Sequence, residues 1–161
     1  MPTVAAVNGV AAGAGSSLAM SCDIVVAAPA ASLIQAFSKI GLIPDAGGTF
    51  LLAHRLGLAR ATALAMTGDK LSAAQAKEWG VVWEVAEDCV AAAEALAQRL
   101  AAMPTQALVR TRHLLRDAMT SSFEAQLQAE RDAQSALAKT HDYFEGVTAF
   151  LEKRAPVFKG A

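Results

Sequence analysis

The sequence predicts an α/β fold in which a small sheet of short buried strands is packed by helices. Three observations carry the prediction. Short apolar runs rich in β-branched residues cluster in the front half. Helix-start signals recur through the back half. Apolar residues make up 54% of the 161 positions against 18% charged, a balance that calls for a packed core and excludes intrinsic disorder. The length suits one domain and not comfortably two. Residues 1–80 carry five basic and four acidic side chains, and residues 81–161 carry nine and eleven. The front therefore reads as interior, and the back as amphipathic and surface-rich.

The elements follow in order. Val4–Val7 and Ile24–Ala28 are short β-branched runs, expected as buried strands. Between them, residues 8–20 form a glycine-rich turn feeding a short apolar helix. Ser32–Gln35 offers a third strand, and Pro44–Gly48 is a sharp break before a helix through about Leu56. Ser72–Gln75 is a capping box opening a helix that stops at Gly80, and Val81–Val85 is a short strand. Asp88 caps a helix carrying Val90, Ala93, Leu96, Leu100 and Met103 at helical spacing. Pro104 opens a helix to about Met119. Ser121–Glu124 and Asp142–Glu145 form two further boxes, starting helices to about Lys139 and Arg154. Trp79 and Trp83 read as packing residues. No internal repeat or low-complexity linker interrupts the chain.

Composition removes several classes of function. A net charge of −1 with a pI near 6.3 lacks the electrostatic footprint of a nucleic-acid binder. Cys22 and Cys89 make neither a disulfide framework nor a zinc motif, so no metal is expected and a reducing, cytoplasmic setting is. Residues 1–22 carry no charged side chain, but they lack both a basic leader and a Leu/Ile-rich stretch able to span a bilayer. They read as a buried soluble segment.

Two segments carry candidate chemistry. Asn8 to Ser17 joins a strand to a helix through Gly9, Gly13 and Gly15. Glycines permit positive φ and close approach of a ligand, and a helix start offers free N–H groups to an anion or developing oxyanion. The loop has no GKS or GKT and lacks the third glycine of a dinucleotide fingerprint. Residues 15–19 resemble a nucleophile elbow but end in alanine, leaving only a thin case for a serine hydrolase using Ser17. A tight packing turn explains the glycines as well as a ligand loop does. The second segment is residues 42–49, with Asp45. It could be an ordinary N-cap, or a carboxylate raised in pKa by Phe37, Leu42, Ile43 and Phe50 and so fitted for proton transfer.

Residues 4–9 through Gly13-Ala14-Gly15 and Cys22-Asp23-Ile24 resemble the core signature of the enoyl-CoA hydratase/isomerase (crotonase) superfamily. Residues 41–49, Thr67-Gly68 with residues 71–82, and residues 145–154 are similar to its later motifs. The resemblance implies a crotonase-like α/β fold of ββα units followed by a helical C-terminal region, with the N-terminal part of the fold absent from this chain. Residues 1–86 would be the later part of the ββα core, and residues 87–161 a helical region for oligomerisation and CoA contact. Family chains extend further upstream of Val4, in a region that supplies strands, a second oxyanion N–H and much of the CoA cradle. The chain is then either a fragment or a surface that pairs with another copy.

The resemblance also implies a chemistry. An acyl-CoA thioester would be the substrate, with no separate cofactor. Ala14 N–H would stabilise its enolate, between Gly13 and Gly15 as substrate-contacting residues. Hydratases of the family carry two glutamates where this chain has Ser17 and Phe37, so hydration is not expected. Asp45 matches the carboxylate of isomerase branches, and residues 37–45 and 78–80 resemble the branch acting on ring-epoxidised phenylacetyl-CoA. Phe150 and Lys153 match positions that touch CoA; spacing of three puts them on one helix face, where a core aromatic beside a solvated lysine is the alternative account. His54, His113 and His141 match no catalytic position. Arg110, Arg112 and Arg116 could attract phosphate, though a stripe paired with Asp117 or Glu124 explains them more simply. The family forms trimers and dimers of trimers, so a homo-oligomer is expected. The alternatives left open are a non-catalytic assembly module and an enoyl-CoA hydratase or double-bond isomerase.

Overall fold

The computed structural model describes residues 1–161, in two compact units. One comprises Thr3–Leu96, the other Ala97–Ala161 with Met1–Pro2.

In the first unit, the first four strands are dealt alternately to two small sheets. Strands β1 (Val4–Val7), β3 (Ile24–Ala27) and β6 (Glu84–Val85) form a parallel sheet in the order β1-β3-β6. Strands β2 (Val10–Ala12), β4 (Ser32–Ile34) and β5 (Lys70–Ser72) form the other, in the order β2-β4-β5. There β2 runs parallel to β4, and β5 antiparallel. Helix α1 (Ala14–Ser21) follows the pair β1–β2. A 3₁₀ turn (Ala36–Ile40) and α2 (Gly48–Thr67) follow β3–β4. The chain thus runs through two ββα units. Their kinship is one of connectivity, which is why no repeat is legible in the residues themselves.

Central strand β3 fits its β-branched sequence: Val25, Val26 and Ala27 are all buried. Helix α1 sets Met20 against this layer, α2 adds Leu52, Leu56 and Leu64, and β5 adds Leu71. Helix α3 (Ala73–Glu78) begins at Ser72, whose hydroxyl accepts the Gln75 N–H at 3.3 Å, as the capping box predicts. Helix α4 (Cys89–Ala101) has its Ala91 N–H bonded to Asp88 Oδ1 at 2.9 Å.

Several expectations are corrected in this unit. Residues 8–20 are not simply turn and helix, because β2 intervenes; three residues of Val and Ala are too few to show a period. Strand β5 escapes notice for the same reason. The strand expected at Val81–Val85 is reduced to Glu84–Val85, since Val81 and Val82 donate to the Ala76 carbonyl and close α3. The helix expected through about Leu56 does end there, since Gly57 at φ 74 and ψ 161 is not helical; what the sequence did not reveal is the second helical stretch that runs on from it to Thr67. Residues 1–22 are not buried as a block. Strands β1 and β2 are both edge strands, and Val10 and Leu18 are exposed. Trp83 is 68% exposed rather than packed, whereas Trp79 lies under the Arg60 guanidinium, 4.7 Å from its ring centre.

The second unit contains α5 (Thr105–Asp117), α6 (Phe123–Leu137) and α7 (His141–Glu152). Their existence follows the sequence, but two caps are displaced. Ser122, not Ser121, accepts the Ala125 N–H at 3.2 Å; Ser121 instead donates to the Asp117 carbonyl at the end of α5. Thr140, not Asp142, accepts the Tyr143 N–H and caps α7. Asp142 and Glu145 are committed elsewhere, to the C-terminal tail. Asp142 accepts the Lys159 and Gly160 N–H groups at 2.8 Å each. Glu145 receives the Val157 N–H and a two-pronged contact from Arg154, at 2.6 and 2.9 Å. The ring of Phe158 lies over Gly146, 3.5 Å from where a Cβ would project, an ordinary packing distance.

No helix is long and apolar enough to cross a membrane.

Candidate active site

Strand β2 ends at a turn built for close approach. The Gly13 N–H extends the β2–β4 pairing by donating to the Ile34 carbonyl at 2.8 Å. Gly13 then takes φ 55 and ψ −125 to start α1, a backbone that a side chain would strain. The Phe37 ring covers its α-carbon, 3.4 Å from the position a Cβ would occupy. Ser16 and Ser17 donate their N–H groups to the Gly13 carbonyl. The N–H groups of Ala14 and Gly15 have no acceptor within the helix and no side-chain cap; both residues are exposed. An uncapped helix start of this kind presents aligned donors and a positive dipole end to an anionic atom.

A second helix start lies beside it. Asp45 to Gly48 form a tight turn closed by the Gly48 N–H donating to the Asp45 carbonyl at 2.7 Å. Its two central residues are both left-handed, Ala46 at φ 49 and Gly47 at φ 77. Gly47 is the N-cap of α2 and no side chain caps that helix, so the ordinary capping account of Asp45 fails. No ion pair engages its carboxylate either. The two helix starts touch through Gly48 and Ser17. A Cβ on Gly48 would fall 2.7 Å from Ser17 Oγ and 3.1 Å from Pro44 Cβ. Asp45 is three residues before Gly48, and Ala14 is three before Ser17, one turn on each side of the contact.

The apolar niche expected around Asp45 is not formed by these residues. Asp45 is exposed, and so are Leu42, Ile43 and Phe50; only Phe37 of the four is buried. Phe37 is held by the 3₁₀ turn against Gly13, whereas the other three flank a loop that nothing in this unit covers. Phe50 instead stacks on His54 with ring centres 3.8 Å apart.

Neither Ser17 nor Phe37 supplies a base. Ser17 is 0% exposed with its hydroxyl unpartnered, which also removes it as an accessible nucleophile. Sequence reasoning missed Gln35, 2% exposed, whose Nε2 donates to Ser16 Oγ at 3.2 Å. The available signal was an amide inside the apolar stretch Leu33-Ile34-Gln35-Ala36-Phe37.

The second unit holds the other expected contact residues. Phe150 on α7 is 83% exposed and borders a cavity of about 410 Å³ with Ala107, Leu137, Val147, Leu151 and Phe158. Lys153 lies beyond the helix as its C-cap, at φ 55 and ψ 38. The shared face expected from their spacing is therefore lost, because a left-handed residue no longer follows the helical direction. Arg112 donates to the Met1 carbonyl at 3.0 Å.

Two sheets fed alternately by ββα units, with an uncapped helix start after a glycine turn, define the crotonase fold, and the chain belongs to the enoyl-CoA hydratase/isomerase family, whose model matches residues 1–161. It is 50% identical to 1,2-epoxyphenylacetyl-CoA isomerase of Escherichia coli (strain K12) over 161 residues, 99% of this chain and 62% of that protein. It is 38% identical to 2,3-dehydroadipyl-CoA hydratase of the same strain, over 99% of this chain and 63% of the relative. The crystal structure of an enoyl-CoA hydratase from Polaromonas sp. JS666 superimposes with a TM-score of 0.94 at 39% identity, covering 98% of this chain and 62% of that one. The chain thus spans a little over three fifths of the length of these relatives.

Proposed function

We propose that the chain acts as a CoA-thioester isomerase, in which Ala14 N–H holds an enolate oxygen and Asp45 carries a proton between two carbons of the acyl group. One observation carries this reading. An uncapped helix start and an uncommitted carboxylate sit one turn either side of the Ser17–Gly48 contact. The chemistry balances without a further reagent. Asp45 takes the proton from the carbon next to the thioester carbonyl and the electron pair moves to the carbonyl oxygen. The pair then returns through a conjugated double bond of the acyl group, which shifts as the carbonyl reforms and the acid delivers the proton to the far carbon. One oriented oxyanion donor contributes about 3–4 kcal/mol to such a step. Gly13 and Gly15 let the thioester approach the donor.

The absence of a second carboxylate at Ser17 and the phenyl ring of Phe37 support isomerisation over addition of water. The acyl group proposed is ring-1,2-epoxyphenylacetyl, on similarity to the isomerase of Escherichia coli, which would place the reaction in phenylacetate degradation. CoA itself is the only carrier required, with Phe150 and Lys153 proposed as its contacts. Residues 87–161 are assigned to oligomerisation, as a homotrimer or dimer of trimers in the cytoplasm. In the proposed enzyme, the niche over Asp45 is closed by a neighbouring copy or by further chain.

Asp45→Asn tests the reading. Exchange of acyl-CoA protons with solvent deuterium, followed by NMR, should fall about 10²–10⁴-fold, the range for loss of a general base. Exchange at the parent rate refutes the role. A second reading, a non-catalytic assembly module, is favoured by the exposure of Asp45 and its apolar neighbours; it predicts no exchange by the parent chain.

A further inference from the structure

We propose that Gln35 is a positioning residue, its buried amide clasping the start of α1 to the start of α2. The isomerase reading enters only in saying which two groups are held. Gln35 leaves β4 almost wholly buried, and its Nε2 donates to Ser16 Oγ at 3.2 Å. Ser16 lies two residues after Ala14, within the first turn of α1. The other end of the amide turns towards α2: Gln35 Oε1 is 3.6 Å from where a Cβ of Gly48 would lie, and Ser17 Oγ is 2.7 Å from the same point. One amide and one hydroxyl therefore flank the first residue of α2, while the amide nitrogen grips α1.

Packing alone does not explain the group. An apolar side chain of similar volume would fill the space without desolvating an amide, whereas the Gln35 amide is buried and its Nε2 is committed to Ser16 Oγ. Gly48 leaves no slack, since any side chain there would strike Ser17 and Pro44. The spacing of the Ala14 donor from the Asp45 turn is thus set by two buried contacts, Gln35–Ser16 and Ser17–Gly48. Catalytic groups must be held to about 0.5 Å, and a displacement of about 1 Å can lower a rate about 10²-fold.

The test compares Gln35→Met, Ser16→Ala and their double variant with Ser32→Ala, a buried hydroxyl at the far end of β4 from Gln35. Steady-state proton exchange on an acyl-CoA should show kcat lowered at least tenfold in either single variant, with KM within about twofold. The double variant should fall no further than the singles, because both break one link. Ser32→Ala should stay within about twofold in kcat. A proportional change in kcat and KM, additive losses, or an unaltered kcat would overturn the proposal. Should Gln35→Met fail to fold, Ser16→Ala decides alone. If the parent chain shows no exchange, the isomerase reading fails, and backbone amide spectra decide this inference separately. Gln35→Met must then shift the signals of Ala14 and Gly15 together with Gly48; movement confined to Ser16 overturns it.

Discussion

Ala46 and Gly47 place two left-handed residues in succession beneath Asp45. For an L-residue that conformation costs roughly 1–2 kcal/mol, and at Ala46 the cost is carried in the folded state. Gly47 escapes it, and a Cβ there would meet only Leu51 at an ordinary 3.8 Å. Gly47→Ala should therefore destabilise the chain by about 1–2 kcal/mol in a denaturant titration through backbone strain alone. Unchanged stability would mean that the turn relaxes when substituted. The turns at Gly13 and at Asp45 are legible in the residues, because glycines and a proline-aspartate break are local signals. The exposure of Asp45 is not, because burial depends on which distant segments cover a loop.

At the scale of elements, every α-helix after Ser72 announces itself, yet two caps are displaced from the boxes read in the sequence. Ser121 and Ser122 are adjacent candidates, and Thr140 and Asp142 both precede an apolar run. A shift of one residue rotates a helix by about 100°, so the choice is made by the face that is buried. Ser122→Ala and Thr140→Ala should each cost about 1 kcal/mol in thermal unfolding. Ser121→Ala should stay within about 0.5 kcal/mol. Equal losses at Ser121 and Ser122 would return the cap to the earlier residue. Strands β2 and β5 went unread because three residues are too few for alternation to emerge.

At the scale of the whole chain, the C-terminal tail is tied to α7 by charge. The Arg154 guanidinium, and after it the Val157 N–H, lower the Glu145 pKa from 4.5 to about 2. The Lys159 N–H, opposed in part by desolvation, leads the groups that hold Asp142 below its usual value. A carboxylate depressed by folding stabilises the folded state above its unfolded pKa and loses that contribution as pH falls through the folded one. The tail should therefore be fully held above pH about 4.5 and released progressively towards pH about 2. NMR signals of Val157 and Phe158 during an acid titration would follow this release. Glu145→Gln should flatten it, and release at neutral pH in the parent chain would contradict it.

The glycine turn and the helical back half are properties of nearest neighbours and spacing, and the sequence by itself determined them, as it did the family likeness. Tertiary structure decided which edges lie open, that Asp45 is exposed, that Asp142 and Glu145 hold the tail instead of capping a helix, and that Gln35 reaches Ser16. Each of these depends on residues distant in the chain meeting in space, and hydrophobic pattern specifies faces without naming partners.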